Sequence, residues 1–289
     1  MTPFLIPNMQ SSIETQAELA QRIYSARASN YEDSWHPDYT ARFMALANIK
    51  PGDHVLSLAC GTGLEIDIAA PKVGPQGRVI GVDVTKEMLA LARDKVASQP
   101  SLSERIKFIQ HDVTDLETCN DIEKNSFDWI LCSSAFVLFD DPKAVVTGWK
   151  QYLRPGGKMA IDITHEHNLR QGRTLELVAK RLGVCFPCDR SWITSRNSFK
   201  EILEGEGLVV EVIEELGREV GAVDRYYDVS EAEEQFDYIM TSPWSNNLRK
   251  EELIGKARPL FVEEWEAMAV DGKVRVTDNV YVYIATRAE

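Results

Sequence analysis

Long apolar runs are missing from this 289-residue chain. No stretch approaches the ~20 residues that a membrane-spanning helix needs. The first ten residues, MTPFLIPNMQ, lack a basic start and break their apolar stretch with prolines, so no secretory leader is expected. A basic excess is missing too. Lys and Arg total 32 against 45 Asp and Glu, a net −13 with histidine neutral. That acidity disfavours a nucleic-acid binder, which needs a basic field for phosphates. Cysteine is scarce: five residues, at 60, 119, 132, 185 and 188, odd in number and irregular in spacing. They read as reduced thiols in a cytosol-like setting, and the cytoplasm is the expected location. Cys185 and Cys188 make a lone C-x-x-C with no second pair or histidine pair nearby, so they read as packed residues, and no metal is expected. Repeats, low-complexity tracts and obvious linkers are lacking as well. What remains is an ordinary globular mixture, 44% hydrophobic and 27% charged, with apolar residues spread along the whole length.

Short apolar runs alternate with longer amphipathic segments in the middle of the chain. Strands are predicted at 54–59, 78–83, 107–111, 127–132 and 158–163, with helices near 64–71, 86–97 and 142–153 between them. The last helix should stop at Arg154-Pro155-Gly156-Gly157. This alternation predicts a doubly wound α/β sheet with helices on both faces. Ahead of it, helices are expected at 11–28 and 38–48. Behind it, helices are expected near 168–182, 196–205, 230–241 and 248–269, with strands at 208–214 and 279–286. One domain is expected over 1–289. It would hold an N-terminal helical cap (1–53), a ligand-binding core (54–163) and insertions with the last strands (164–289).

The most informative stretch is HVLSLACGTG, residues 54–63, where a strand runs into Ala59, Cys60, Gly61, Thr62 and Gly63 and then a helix. Small residues let backbone approach a ligand, although a tight turn alone also needs glycine. Asp83 ends the next strand 20 residues after Gly63. In doubly wound folds such a carboxylate takes ribose hydroxyls. His111-Asp112-Val113 ends the third strand. A dinucleotide fingerprint would need a third glycine where Ile66 stands, and no P-loop Lys-Ser/Thr follows. A nucleoside ligand without the pyrophosphate signature is what these positions suggest.

These motifs, in this order, resemble the class I S-adenosylmethionine-dependent methyltransferases, in particular the small-molecule branch that includes ubiquinone and menaquinone C-methyltransferases. VLSLACGTG, GVDVTKEML, FIQHDVTDL, FDWILCSSAFVLF and GWKQYLRPGGKMAI match successive family motifs over about residues 50–165. The resemblance implies a Rossmann-like, mostly parallel seven-stranded sheet with N-terminal helices and helical insertions after strands five and six. It implies S-adenosylmethionine as cofactor and S-adenosylhomocysteine as product. Ala59, Cys60, Gly61 and Gly63 would line the methionine moiety and Asp83 would bind the ribose. Val84 and Met88 would pack on adenine, Asp112 and Val113 would bond its nitrogens, and Ser133 and Ser134 would border the methyl. Ser57 stands where relatives usually carry an acid that holds the methionine ammonium, and Ala59 where they often carry glycine. Tyr31, in the segment Tyr24–Tyr31, would touch the cofactor or substrate, or simply pack on the core.

Methyl transfer needs alignment first, and a base only when the acceptor keeps its proton. His165 and His167, just after the fifth strand, and His36 are the candidate bases; for His165 and His167 the alternative is surface histidines in a loop. His111 is assigned a packing role. The insertions hold Phe186, Trp192, Tyr226, Tyr227, Phe236, Tyr238 and Trp244, which could wall a pocket for a flat acceptor or fill inserted cores. The implied reaction is methylation of a small organic acceptor, a specialised metabolite among the options, with O-methylation ahead of C-, N- or S-methylation. A protein methyltransferase and a non-methylating cofactor binder remain alternatives. No membrane or nucleic-acid partner is expected, and the oligomeric state is open. Residues 201–237 hold 13 of the acids and only two bases, Arg218 and Arg225, so the acidity lies outside the cofactor motifs, on an expected solvated face.

Overall fold

A computed structural model of the chain describes residues 15–186 and 188–288. The N-terminal segment read above for a leader, the expected helix start at 11–14, and Pro187 lie outside them.

Two helices open the chain, α1 (Gln16–Arg27) and α2 (His36–Leu46), joined by a short 3-10 segment. Thr15 caps α1 in a reciprocal box with Glu18, which satisfies two otherwise orphaned N–H groups. The core then alternates as expected: β1 (His54–Leu58), α3 (Leu64–Val73), β2 (Arg78–Asp83), α4 (Lys86–Ala97), a short α5 (Pro100–Ser103), β3 (Ile106–Gln110), β4 (Phe127–Cys132), α6 (Pro142–Trp149) and β5 (Leu153–Thr164). The second half adds α7 (Arg170–Leu182), α8 (Ser198–Gly205), β6 (Leu208–Gly217), β7 (Arg225–Asp228), α9 (Ala232–Met240), α10 (Glu251–Ala267), β8 (Lys273–Val276) and β9 (Asn279–Arg287).

Seven strands form one sheet in the order β3-β2-β1-β4-β5-β9-β6. The first five are parallel neighbours, and β9 runs antiparallel to both β5 and β6. This is the expected doubly wound sheet, with its switch point between β1 and β4. Alternation along the strands feeds two cores. Leu56, Leu58 and Ile130 join α6 and α8 on one face. Val55, Leu131 and Ala160 join α2 and α3 on the other. The same parity carries Ser57, Ser133 and Asp162 toward the α2–α3 face at the strand ends. α3 packs so closely on β2 that a Cβ at Gly81 would overlap Ile66 and come within 2.9 Å of the Cys60 Sγ.

Two expectations change. The helix over 142–153 ends at Trp149, because Leu153 already pairs with Phe127 and the Arg154–Gly157 turn is a register shift inside β5. A small antiparallel sheet, β7–β8, was not expected. Its strands are four residues each, at the lower limit for reading alternation, and Arg225–Asp228 does not alternate. With α7, α9 and α10 it encloses a third apolar cluster that includes Phe236, Phe261 and Trp265. None of the 13 acids in 201–237 is buried, so the acidic face is solvated as expected.

Candidate functional site

At the carboxyl ends of β1, β2 and β4 lies a cavity with about 620 Å³ of empty space, part of it open to solvent. The loop after β1 shapes one wall. Ala59, Gly61 and Gly63 all adopt positive φ (52°, 52° and 86°), a conformation that costs an L-residue such as Ala59 about 1–2 kcal/mol. Ser134, at φ 57°, is a second non-glycine in that region, and both Ala59 and Ser134 line the cavity. Strain of this kind persists where surrounding contacts hold it. Here Asp162 does so, accepting from the Ser134 N–H at 2.8 and 2.9 Å.

Asp83 ties the β1 and β2 ends together. Its Oδ2 accepts from the Gly61 N–H at 2.8 Å and its Oδ1 from the Thr85 N–H at 2.7 Å. Burial raises its carboxyl above the usual carboxylate range against those bonds. The opposite wall is apolar, with Val84, Met88, Val113, Leu138 and Phe139. Asp112 lines the cavity and uses Oδ1 to accept from the Thr114 N–H at 2.9 Å and its hydroxyl at 2.7 Å. Helix α1 covers the opening through Ala17, Ala20 and Tyr24. Gln21 bonds the Val84 carbonyl at 3.4 Å and Ser25 bonds Glu87 at 2.8 Å, which pins α1 over the ligand loop.

Of the sequence-predicted residues, Tyr31, Ala59, Gly61, Asp83, Val84, Met88, Asp112, Val113, Ser133 and Ser134 line this one space. Cys60 and Gly63 do not line it. Cys60 turns its buried thiol inward, and Gly63 starts α3. Ser57 lies beneath, 1% exposed, with no hydrogen-bond partner for its Oγ.

None of the three candidate histidines is among the lining residues. His36 is sandwiched between Tyr31 and Trp35, at 4.0 and 3.8 Å between ring centres, and burial lowers its pKa to about 3. His165 is buried against Tyr281 and accepts from the His167 N–H at 3.0 Å. His167 is held by Arg170, and burial with that neighbour brings it to about 4. His111 bonds the Asp115 carbonyl at 2.8 Å, outside the cavity wall. The insertion aromatics do not wall this cavity; Tyr227, Tyr238 and Trp244 line a separate, open pocket instead. Phe236 is core, Tyr226 and Tyr238 are exposed, and the aromatic walls come from Tyr24, Tyr31 and Phe139.

Two acids beside the cavity were not found by sequence reading. Glu65, in the first turn of α3, is buried and accepts from the Ser133 hydroxyl; burial raises it to about 7. Asp162 is buried, accepts from the Tyr39 hydroxyl and is raised to about 6. The parity of β5 and the acidic first turn of α3 were the available signals. Among the described residues, neither acid, nor Asp83, has a salt-bridge partner, and no lysine or arginine lines the cavity. Glu65 and Asp83, buried without a salt-bridge partner among the described residues, favour a ligand that brings positive charge and disfavour a phosphate, whereas Asp162 feels the Arg218 charge. Among the described residues no cluster of His, Cys, Asp and Glu is arranged for a metal ion, and no helix is long and apolar enough to cross a membrane.

A family profile described as a methyltransferase domain matches residues 49–204. A demethylmenaquinone methyltransferase of Symbiobacterium thermophilum is 34% identical over 100 residues, 31% of this chain and 38% of that protein. An arsenite methyltransferase of Halobacterium salinarum is 34% identical over 117 residues, 40% of this chain and 28% of that protein. The chain thus spans about a third of the length of these curated relatives. Among solved structures, a Haemonchus contortus phosphoethanolamine N-methyltransferase 2 in complex with S-adenosyl-L-methionine is similar in fold. It superimposes with a TM-score of 0.56 at 16% identity, over 96% of this chain and 61% of that one.

Proposed function

The chain belongs to the class I S-adenosylmethionine-dependent methyltransferases, and we propose that it binds S-adenosylmethionine under α1 and methylates a small organic acceptor. The observation that carries this reading is the cavity's composition: a backbone loop, a ribose-ready carboxylate, an apolar slot and no basic residue, with Glu65 buried behind Ser133. Asp83 receives the ribose hydroxyls on the lone pairs that Gly61 and Thr85 leave free. Val84, Met88 and Val113 hold the adenine, and Asp112 takes its amino group. Glu65 supplies beside Ser133 the negative charge that Ser57 lacks, and faces the methionine ammonium. Cys60 and Gly63 act by shaping the loop, and Tyr31 closes the methionine end.

When bound, the cofactor would supply a methyl group on a sulfonium, to which an acceptor lone pair bonds while the C–S pair leaves with sulfur as the thioether of S-adenosylhomocysteine. The chain's own work is to align the partners and exclude water, which the α1 cover and the Ser133–Ser134 wall do. Asp162, raised to about 6 and joined to Ser134, suits a proton acceptor at neutral pH better than His36 or His167, whose values fall to about 3 and 4. Availability of such a group supports O-methylation. A second reading, C-methylation of a quinol-like ring, is favoured by the 34% identity to a demethylmenaquinone methyltransferase. A cytoplasmic setting accords with five free cysteines.

The test is a calorimetric titration with S-adenosylmethionine, S-adenosylhomocysteine, ATP and NAD. Binding of the first two and not the phosphates is expected. No binding of either sulfur ligand would refute the reading.

A further inference from the structure

The acidic stretch 201–237 holds two bases, and they behave differently. Arg225 pairs with Asp278 at 2.9 Å on the surface. Arg218 forms no salt bridge among the described residues, despite its acidic surroundings. Its guanidinium carbon sits 5.1 Å from the centre of the Trp35 ring. Its backbone is fixed, the N–H donating to the Asp278 carbonyl at 3.3 Å and the carbonyl accepting from Arg42 Nη2 at 2.7 Å.

Arg218 lines a second, small cavity whose roughly 260 Å³ of empty space is partly open to solvent, together with Asp162, Thr164 and Val280. This space shares Ser134 and Ala135 with the cavity under α1. It therefore begins where the methyl-bordering wall ends. One end of it carries a carboxylate, Asp162, whose oxygens already accept from Ser134 and Tyr39. The wall also carries the Arg218 guanidinium, whose charge reaches Asp162 and lowers its carboxyl but which forms no salt bridge among the described residues.

We propose that this second cavity holds the methyl acceptor, and that Arg218 selects an acceptor bearing a carboxylate. The class is a small hydroxy- or amino-carboxylic acid. Its nucleophilic O–H or N–H lies toward Ser134 and Asp162, and its carboxylate meets Arg218. The inference rests on the cofactor occupying the cavity under α1. A guanidinium stacked on an aromatic face keeps its N–H edge for a planar, two-oxygen partner. Like charge at Asp162 repels a carboxylate bound the wrong way round, so the same pair sets orientation.

The experiment uses the full chain saturated with S-adenosylhomocysteine and two probes, benzoate and its uncharged isostere benzamide, titrated by saturation-transfer NMR. Benzoate is expected to bind about tenfold tighter than benzamide. Arg218→Gln should bring benzoate down to the benzamide level, with S-adenosylhomocysteine affinity and melting temperature unchanged. Arg218→Lys should keep part of the preference and Arg225→Gln all of it. Equal binding of the two probes, no benzoate binding, or a preference that survives Arg218→Gln overturns the proposal. Failure of S-adenosylhomocysteine itself to bind would instead remove the cofactor reading on which it rests.

Discussion

Acids buried at the cavity and acids buried away from it are held in opposite ways, and even within the cofactor half Asp128, away from the cavity on β4, pairs with Arg154. In the insertion half, Glu176 is buried and fully answered: the equally buried Arg190 donates from Nε at 3.0 Å and from its backbone N–H at 2.7 Å. In the cofactor half, Glu65, Asp83 and Asp162 are buried with hydrogen bonds but, among the described residues, no salt bridge. Burying a charge without a counter-charge is costly, and burying it with one is close to neutral. Glu176 with Arg190 therefore belongs to the architecture, and under the proposed function Glu65 and Asp83 await a ligand that brings the missing charge.

The largest expected effect breaks the architectural side. Glu176→Ala strands the buried Arg190 charge and should destabilise the chain by about 3–5 kcal/mol in chemical denaturation. Affinity for S-adenosylhomocysteine, measured on the folded fraction, should not change. A large loss of affinity would mean that the halves are not separable.

Asp83→Ala should do the reverse. It removes ribose hydrogen bonds to a charged group and should weaken S-adenosylhomocysteine binding about a hundredfold by calorimetry. An unchanged affinity would remove Asp83 from the ribose site.

Glu65→Gln sharpens the comparison further, because it deletes a charge that costs stability until the ligand arrives. Burial holds the folded carboxyl at about 7 against an ordinary value of 4.5. Between those values the folded state binds more protons than the unfolded one, so stability of the ligand-free chain falls as pH rises and levels off above about 7. Glu65→Gln should flatten that decline and raise the melting temperature at pH 8. The same variant should weaken S-adenosylhomocysteine about tenfold and remove the gain in affinity that the wild type shows as pH rises through about 7. A decline with pH that survives the substitution would count against Glu65.

The smallest effect is on the solvated face. Glu233→Gln with Glu234→Gln should move stability by no more than about 0.5 kcal/mol and leave binding alone. Any larger change would show that the acidic stretch is more than a soluble surface.

The sheet was legible because its signals are local. β2 and β4 fall at the expected residues, and α4 does too, since apolar runs bounded by turns encode such elements directly. The residues that ring the cavity were legible because three strand ends carry short motifs. The β7–β8 sheet was not, because two four-residue strands separated by two helices are joined only in space. Glu65 was hidden for a similar reason. As a first-turn acid it looks like ordinary helix-dipole chemistry, and only the β4 end brings Ser133 to it. The surroundings of the histidines were not legible either: an imidazole's ordinary pKa suits a base, but only the fold packs them against Trp35, Tyr281 and Arg170.

The most direct test of the central claim is a crystal structure of the chain grown with S-adenosylhomocysteine. The ligand is expected under α1, with its ribose diol on Asp83, its adenine between Met88 and Val113, and its amino group beside Glu65. Density for the ligand anywhere else, or in that cavity with the ribose away from Asp83, would contradict the claim.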